Sequence, residues 1–324
     1  MSARLMRHCI AIDIGGSSAK LAIASEEGRL LGKTSIATPK TKSAKPILDA
    51  FVQGTRQLRD IAHDRGIPLA GVGIGHPGFY DLDGRLRDLC NVPALNGVNL
   101  GICFQEEFRI PVVCDTDVSC GTLGEFHYGG HSKVKRFLFL TLGTGVGVGA
   151  VIDGKLARTT RNCLGDPGHI VVDPDGSLCT CGGKGCLEAV ASGWAITRVA
   201  EQLVKSGRQT ELEKAYASQG TISAQDVFAA ASCGDGAAGE IVAGVAKWLA
   251  MGLASLCVIF EPEVIGLGGG IAAGAGDQLL NPVRDNFFRM VSPPFARGIR
   301  IISARVGPDA GLLGAAALVF FQKN

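Results

Sequence analysis

No run of like charge marks this 324-residue sequence: 32 Lys and Arg are set against 30 Asp and Glu, mixed along the chain, for a net charge of +2. The basic stripe by which proteins hold nucleic acid or an anionic membrane surface is therefore lacking. A disulfide framework is lacking too. The 11 cysteines are an odd number, and those outside one short loop stand singly, several within apolar runs such as HCIAIDI and LASLCVIF. That is the usage of a reducing compartment. No secretion signal is legible, because the apolar run in MSARLMRHCIAIDIGG is short and turns directly into glycine. No apolar segment is read as reaching the ~20 residues of a membrane span. The expectation is a cytoplasmic protein with no nucleic-acid partner and no membrane partner. A Walker P-loop is also missing: Gly28-x3-Gly32-Lys33-Thr34 is one residue short of the spacing and lies between strands.

What the chain has in quantity is glycine, 46 residues, in a composition that is 46% hydrophobic and 19% charged. This reads as globular and rich in tight turns, with length enough for two domains. A buried strand, Cys9 to Ile14, ends in Asp13-Ile14-Gly15-Gly16-Ser17-Ser18, and a second strand, Lys20 to Ser25, follows. Strand, glycine hairpin, strand is one way to offer backbone N–H groups to a phosphate chain and a carboxylate to Mg2+; an ordinary glycine hairpin has the same spelling. Residues 45–65 have helical spacing, and the strand Leu69 to Gly75 runs into Gly75-His76-Pro77-Gly78, with His76 read as an exposed turn residue. Asn91, in Cys90-Asn91-Val92-Pro93, is either a turn residue or a hydrogen-bonding group for a hydroxylated ligand.

Asp117 stands between the strand Pro111 to Asp115 and a helix over Val118 to Tyr128. The residues alone favour an N-cap there, with a general base as the alternative. The strand Phe137 to Leu142 opens into Gly143-Thr144-Gly145-Val146-Gly147-Val148-Gly149, where Gly145, Gly147 and Ala150 fit a dinucleotide fingerprint. That fingerprint requires a helix next, and AVIDGKL reads as a strand, so a nicotinamide dehydrogenase is excluded. Two glycine hairpins of one kind suggest an internal duplication. Beyond residue 186 the pattern is mainly helical (187–206, 224–233, 237–260), broken by a short strand, Val264 to Leu267, that runs into Gly268-Gly269-Gly270. A helix starting on glycines lets backbone approach a ligand closely. A helix over 277–288, a strand over 299–304 and a helix over 310–321 complete the chain.

The stretch that organises the rest is GDPGHIVVDPDGSLCTCGGKGCLE, Gly165 to Glu188. His169 with Cys179, Cys181 and Cys186 is a full tetrahedral zinc shell, with no position open for a catalytic water. The zinc is read as architecture that holds Asp166-Pro167-Gly168-His169 close to Glu188.

The order DIGGSSAK, GHPG, CNVP, Asp117, TLGTGVGVGAVIDGKL, GDPGH…CTCGGKGCLEA and GLGGGIA resembles the ROK family of repressors, open reading frames and kinases, from about Cys9 to Phe321. The resemblance implies a two-lobed, α/β actin-like ATPase (ribonuclease H-like) fold with mixed sheets. A small lobe over 1–116 would include the C-terminal helix within 308–324, and a larger lobe over 117–307 would carry the zinc loop, with a hinge near Thr116. It implies an ATP- and Mg2+-dependent kinase of a hexose or an N-acylhexosamine, a sugar as small-molecule partner, structural Zn2+, and a homodimer or homotetramer. Asp117 matches the catalytic base. Asp13 matches the Mg2+-associated carboxylate, and Gly15, Gly16, Ser17, Ser18 and Lys20 the first phosphate hairpin. Gly143, Thr144, Gly145 and Gly147 match the second phosphate loop, and Gly268, Gly269 and Gly270 the nucleoside side. Gly78, Asn91, Asp117, Asp166, His169 and Glu188 match sugar positions, and His169 would bind zinc as well. The sequence departs from the family at Thr116, Ser119, Asp166 and Leu95, where Asn, Asn, Glu and Trp are usual. A ROK repressor would need ~60–80 residues of winged helix–turn–helix ahead of the first strand, which here begins by Cys9. A non-catalytic sugar sensor and a polyphosphate-dependent kinase remain as alternatives, the latter because of Ser17 and Lys20.

Overall fold

The computed structural model describes residues 6–159, 164 and 166–322. Gly165, with which the zinc-loop stretch begins, lies outside the described residues. Two compact units divide the chain. One holds the described residues up to Lys133, those between Val151 and Gly165, and those from Pro308 onward; the other holds Val134–Ala150 and Asp166–Gly307.

In the first unit, apolar runs form strands because both faces are covered. β1 (His8–Ile14) pairs antiparallel with β2 (Ser18–Ser25), and β2 with β3 (Leu30–Ala37). The amphipathic α1 (Ala44–Asp64) buries Ile47, Phe51 and Leu58. β4 (Leu69–His76) lies parallel to β1, and a small hairpin, β5 (Phe79–Tyr80) and β6 (Leu86–Arg87), follows it. After α2 (Leu100–Phe108), β7 (Val112–Thr116) closes the sheet parallel to β4 and feeds α3 (Asp117–Tyr128). The strand order is β3-β2-β1-β4-β7. Ile10, Ile12, Leu21, Ile23, Phe51 and Phe104 are 0% exposed at its core.

The second sheet has the same plan. Its strands are β8 (Arg136–Leu142), β9 (Val146–Ile152) and β10 (Lys155–Leu156), then, after helices α4 (Leu187–Ala191), α5 (Gly193–Lys205), α6 (Leu212–Gln219), α7 (Ala224–Ser232) and α8 (Gly236–Phe260), the strand β11 (Val264–Gly268). α9 (Gly269–Ala275), α10 (Asp277–Met290) and α11 (Pro293–Ala296) lead to β12 (Arg300–Ser303). The order β10-β9-β8-β11-β12 repeats that of the first sheet, and β11 runs parallel to both neighbours. The final helix, α12 (Ala310–Phe321), belongs to the first unit and packs on α3, β4 and β1. Its approach to α3 is close enough that a Cβ on Gly314 would fall 1.6 Å from the Cys120 carbonyl oxygen.

The division departs from the expected break after Thr116. The packing of α3 on α12 keeps α3 in the first unit, and the chain enters that unit again between Val151 and Gly165. The helix expected over 187–206 is two helices: Ser192 leaves helical geometry at ψ 169° and its side chain caps α5 by accepting the Ala195 N–H. The expectation that no apolar segment reaches membrane-span length is also corrected. α8 has 25 residues, and its mean hydropathy of 1.9 over an 18-residue window suffices by length and composition, although 56% of that window is buried inside the protein. It packs on α10, α7 and α4.

Candidate active site

In the first unit the β1–β2 turn is tied by Gly15 N–H donating to the Ser18 carbonyl at 2.9 Å. Thr38 fastens it from β3's end: its hydroxyl donates to the Gly15 carbonyl at 2.9 Å and its N–H to the Ser17 carbonyl at 3.0 Å. Asp13 stands opposite Lys20 in the β1–β2 register. Burial raises the Asp13 carboxyl, Lys20 opposes the rise, and Asp309 adds to it. Half-buried carboxylate oxygens near a second carboxylate are the hard donors that Mg2+ takes, so the residues fit that ion. The Lys20 ammonium itself donates to the Pro308 carbonyl at 3.0 Å. Asn91 packs against Gly16, beside a cavity of about 480 Å³ lined by Gly16, Thr38, Lys40, Asn91 and Pro93 among others. Gly78 turns the chain between β4 and β5 with φ at +73°.

Asp117 is not the cap that the residues alone favoured. Thr116 is the N-cap of α3: its hydroxyl accepts the Ser119 N–H at 3.1 Å and donates to the Ser119 hydroxyl at 2.9 Å. Asp117 is the first helical residue, exposed, with Oδ1 accepting the Val118 N–H at 2.8 Å. The departures at Thr116 and Ser119 thus form one capping pair, and the duty of closing the helix passes from Asp117 to its neighbour.

His76 is likewise not an exposed turn residue. It is the last residue of β4, 1% exposed, with Nδ1 3.0 Å from the Pro77 carbonyl and its ring edge-on to Tyr80 at 5.6 Å. Burial lowers its pKa and keeps the ring neutral. The neighbouring carboxylate, Asp115, is 1% exposed and bonded to Arg158, which also donates to the Tyr80 hydroxyl at 3.2 Å. The sequence reading passed over Asp115, Arg158 and Tyr80. A charged residue ending the apolar strand VVCD was a usable signal for Asp115; its partner, 43 positions away, has no local signature.

In the second unit the zinc-loop residues do converge. The four candidate ligand atoms of His169, Cys179, Cys181 and Cys186 all lie within 4.8 Å of one another. Zn–S and Zn–N lengths of about 2.3 and 2.0 Å set tetrahedral edges of about 3.8 Å between sulfurs and about 3.6 Å between sulfur and nitrogen. Cys181 and Cys186 sulfurs are 3.7 Å apart, and Cys179 Sγ is 3.5 Å from His169 Nδ1. The donor set therefore fits zinc in type and in spacing. Gly183 N–H donates to Cys181 Sγ and lowers that thiol's pKa, whereas burial pushes Cys186 up to about 12. The other ring nitrogen of His169, Nε2, is 3.3 Å from Asp166 Oδ2. Burial raises the Asp166 carboxyl, His169 opposes this, and Glu188 adds to it.

Glu188, in the first turn of α4, joins this group to the glycine loop between β8 and β9. Its Oε2 accepts the Val146 N–H at 3.1 Å, and its Oε1 accepts the Thr180 hydroxyl at 3.2 Å. A Cβ on Gly145 would crowd Glu188 Oε2, so any side chain there would require that carboxylate to shift. The loop is closed by Gly143 N–H to the Gly145 carbonyl at 3.0 Å, and the Gly143 carbonyl accepts the Gly193 N–H at 2.9 Å. Thr144 lies exposed at its tip and Gly147 within β9. Gly268 ends β11, while Gly269 and Gly270 open α9. Gly270 borders a second cavity, of about 200 Å³, with Phe228, Ser232, Ile271 and Gln278. Gln278 fixes that wall by donating to the Phe228 carbonyl at 3.1 Å and accepting from Ser232 at 3.0 Å.

Known proteins match this chain along nearly its whole length. The ROK family model matches residues 9–321. A glucokinase of Halalkalibacterium halodurans is 34% identical over 98% of this chain and 96% of its own length. An N-acetylmannosamine kinase of Yersinia pestis is 31% identical over 95% and 96% of the two chains. Among solved structures, a glucokinase of Streptomyces griseus in complex with glucose and AMPPNP aligns with a TM-score of 0.78 at 32% identity, covering 96% of this chain and 98% of that one.

Proposed function

We infer, from a chain that belongs to the ROK family over residues 9–321, that this protein is a sugar kinase that transfers the γ-phosphate of ATP to a hydroxyl of a hexose or N-acylhexosamine. Membership and kinase activity follow from glucokinase relatives at 33–34% identity that cover 96–98% of this chain. The finer assignment is supported above all by one observation. Glu188, just past the zinc-type loop, is hydrogen-bonded to Val146, the first residue of β9, directly after the glycine loop that leaves β8. A carboxylate suited to sugar hydroxyls and a turn suited to phosphate thus share one bond.

The roles proposed follow the chemistry of each group. Phosphoryl transfer needs positioning, charge neutralisation and one base, and little covalent work from the protein. Asp117 takes the proton from the attacking hydroxyl; the bond from Val118 N–H to its Oδ1 orients the carboxylate. Asp166 and Glu188 accept from sugar hydroxyls. His169 is held through Nδ1 at the sulfur cluster, which fixes its tautomer and leaves N–H at Nε2. Gly78 and Asn91 line the sugar in the first unit. Backbone N–H groups at Gly15 to Ser18 and Gly143 to Gly147 hold phosphate oxygens, and the cavity at Gly270 takes the nucleoside. Asp13 would hold a Mg2+ ion that would neutralise phosphate charge, and His169, Cys179, Cys181 and Cys186 would hold a Zn2+ ion that would supply a crosslink. Asp166 is one methylene shorter than the family's Glu, which changes its reach to the sugar and makes the acceptor an experimental matter.

A coupled assay of ADP release, with ATP, Mg2+ and a panel of hexoses and N-acetylhexosamines, tests the reading. Turnover on at least one sugar is expected. Asp117→Asn should fold, bind sugar and lose at least ~10^2-fold in turnover. Silence across the panel with both ATP and polyphosphate as donor would leave a sugar-binding protein in place of a kinase.

A further inference from the structure

We propose that Arg158 is a positioning residue for the base, acting on Asp117 through the buried carboxylate of Asp115; the inference rests on the assignment of Asp117 given above. Asp115, the penultimate residue of β7, is 1% exposed. A carboxylate so buried needs a cation or several hydrogen bonds to remain charged. Both of its oxygens are engaged: Oδ1 accepts the Thr116 N–H at 2.7 Å, and Oδ2 accepts Arg158 Nη2 at 2.5 Å. Thr116 in turn caps α3 through Ser119. A continuous path of hydrogen bonds therefore runs from Arg158 through Asp115 and Thr116 to Ser119, and Asp117 is carried on the backbone that this path fixes.

A helix start alone has no need of this arrangement, because the Thr116–Ser119 pair already closes α3. What the guanidinium adds is a fixed positive charge beside the strand end from which the base projects. Arg158 is braced at its other nitrogen by the Tyr80 hydroxyl at 3.2 Å. The titratable groups facing this place from the packed elements are Asp13 on β1, His76 on β4, Tyr80 on β5, Cys114 on β7 and Cys120 on α3. Burial lowers His76 and raises both thiols, so these three are neutral near pH 7. The charged groups around Cys120 are Asp115, Asp13 and Asp117, with Arg158 bonded to Asp115 and with Lys20 and Asp309 acting on Asp13.

Two variants separate positioning from mere structure, because they move the base in opposite directions. Arg158→Met removes the cation while Asp115 keeps the Thr116 N–H bond to its charged form, and a carboxylate no longer compensated by a guanidinium raises the pKa of a nearby one. The acid limb of the kcat/KM profile should move to higher pH, and kcat should fall about 10- to 100-fold while the KM for sugar changes little. Asp115→Asn keeps the guanidinium and cancels the carboxylate, so the acid limb should move to lower pH. Arg158→Lys should bring the limb back toward its native position. If Arg158→Met does not fold, Asp115→Asn and Arg158→Lys still decide, and the double variant Arg158→Met/Asp115→Asn, which leaves no buried charge alone, should fold with reduced kcat. Profiles that stay in place in Asp115→Asn and Arg158→Lys alike, or a downward limb in Arg158→Met, overturn the inference. Asp117→Asn, run beside them, distinguishes the failures. Near-native turnover there removes the base itself, whereas a dead Asp117→Asn with unshifted Arg158 and Asp115 variants removes only the positioning role.

Discussion

The two sheets share a strand order, yet the proposed functional groups are mounted on them in different ways. In the first unit Asp13 is the penultimate residue of β1 and Asp117 opens α3, on elements that rest on a core whose largest side chains are 0–1% exposed. In the second unit Asp166 and His169 come from the run ahead of α4 and Glu188 from its first turn; Cys179, Cys186 and Ala189 form a small buried cluster there, with Trp194 packed against it, and Val172 and Leu187 are buried as well. Val171 is 60% and Leu178 72% exposed on that run. Where the strand beneath is core, packing fixes the backbone that carries the carboxylate. A run outside regular strands, with Val171 and Leu178 exposed, has more to gain from a crosslink, and four N and S donors within 4.8 Å of one another suit a zinc ion that would supply one.

Stripping the metal breaks this comparison most severely. A structural zinc contributes on the order of 10 kcal/mol, comparable to the stability of a whole domain. Chelation, or Cys179→Ser, should abolish sugar binding by calorimetry and lower the melting temperature of the second unit. Retained sugar affinity in the metal-free protein would remove the double role of His169. A smaller effect is expected from Gly145→Ala, because the new Cβ would stand 2.4 Å from Glu188 Oε2. That carboxylate must move, so sugar KM and ATP KM should both rise, by about 10-fold or more, the cost of ~1.4 kcal/mol. A change in only one of them would show that Glu188 does not link the two sites.

The smallest effect belongs to the first unit and concerns stability alone. His127 stacks on Phe321 at 4.1 Å, and burial lowers its pKa from 6.5 to about 4. The unfolded chain therefore takes up a proton below pH 6.5 that the folded protein refuses until about pH 4. Its contribution is present above pH 6.5 and is lost as the pH falls through that window. Thermal melts between pH 7 and pH 4 should show less acid destabilisation for His127→Phe than for the native protein. Equal slopes would exclude His127 as the source.

Most of the scaffold was legible in the residues because it rests on local patterns. The apolar runs at β1, β4, β8 and β11 and the helical spacing of α1 and α12 are periodicities that burial imposes on any sequence of this fold. The convergence of His169, Cys179, Cys181 and Cys186 was legible because donors drawn together by one loop must be written in one stretch. Asp117 was harder. A carboxylate before a helix looks like a cap, and only the hydrogen bonds of Thr116 show that the cap lies one residue earlier. His76 misled for a related reason: a turn motif shows where the backbone bends, whereas burial at 1% depends on what packs over it.

The sequence by itself determined the two glycine hairpins, the strands beneath them and the clustering of His169 with Cys179, Cys181 and Cys186, since turn geometry, periodicity and short-range spacing act between near neighbours. Tertiary structure alone decided that α12 returns to α3, that Glu188 meets Val146, and that Arg158 meets Asp115 across 43 positions. Those pairings are chosen by packing, which brings distant residues together through shape and charge compensation and leaves no mark on either residue's own surroundings in the chain.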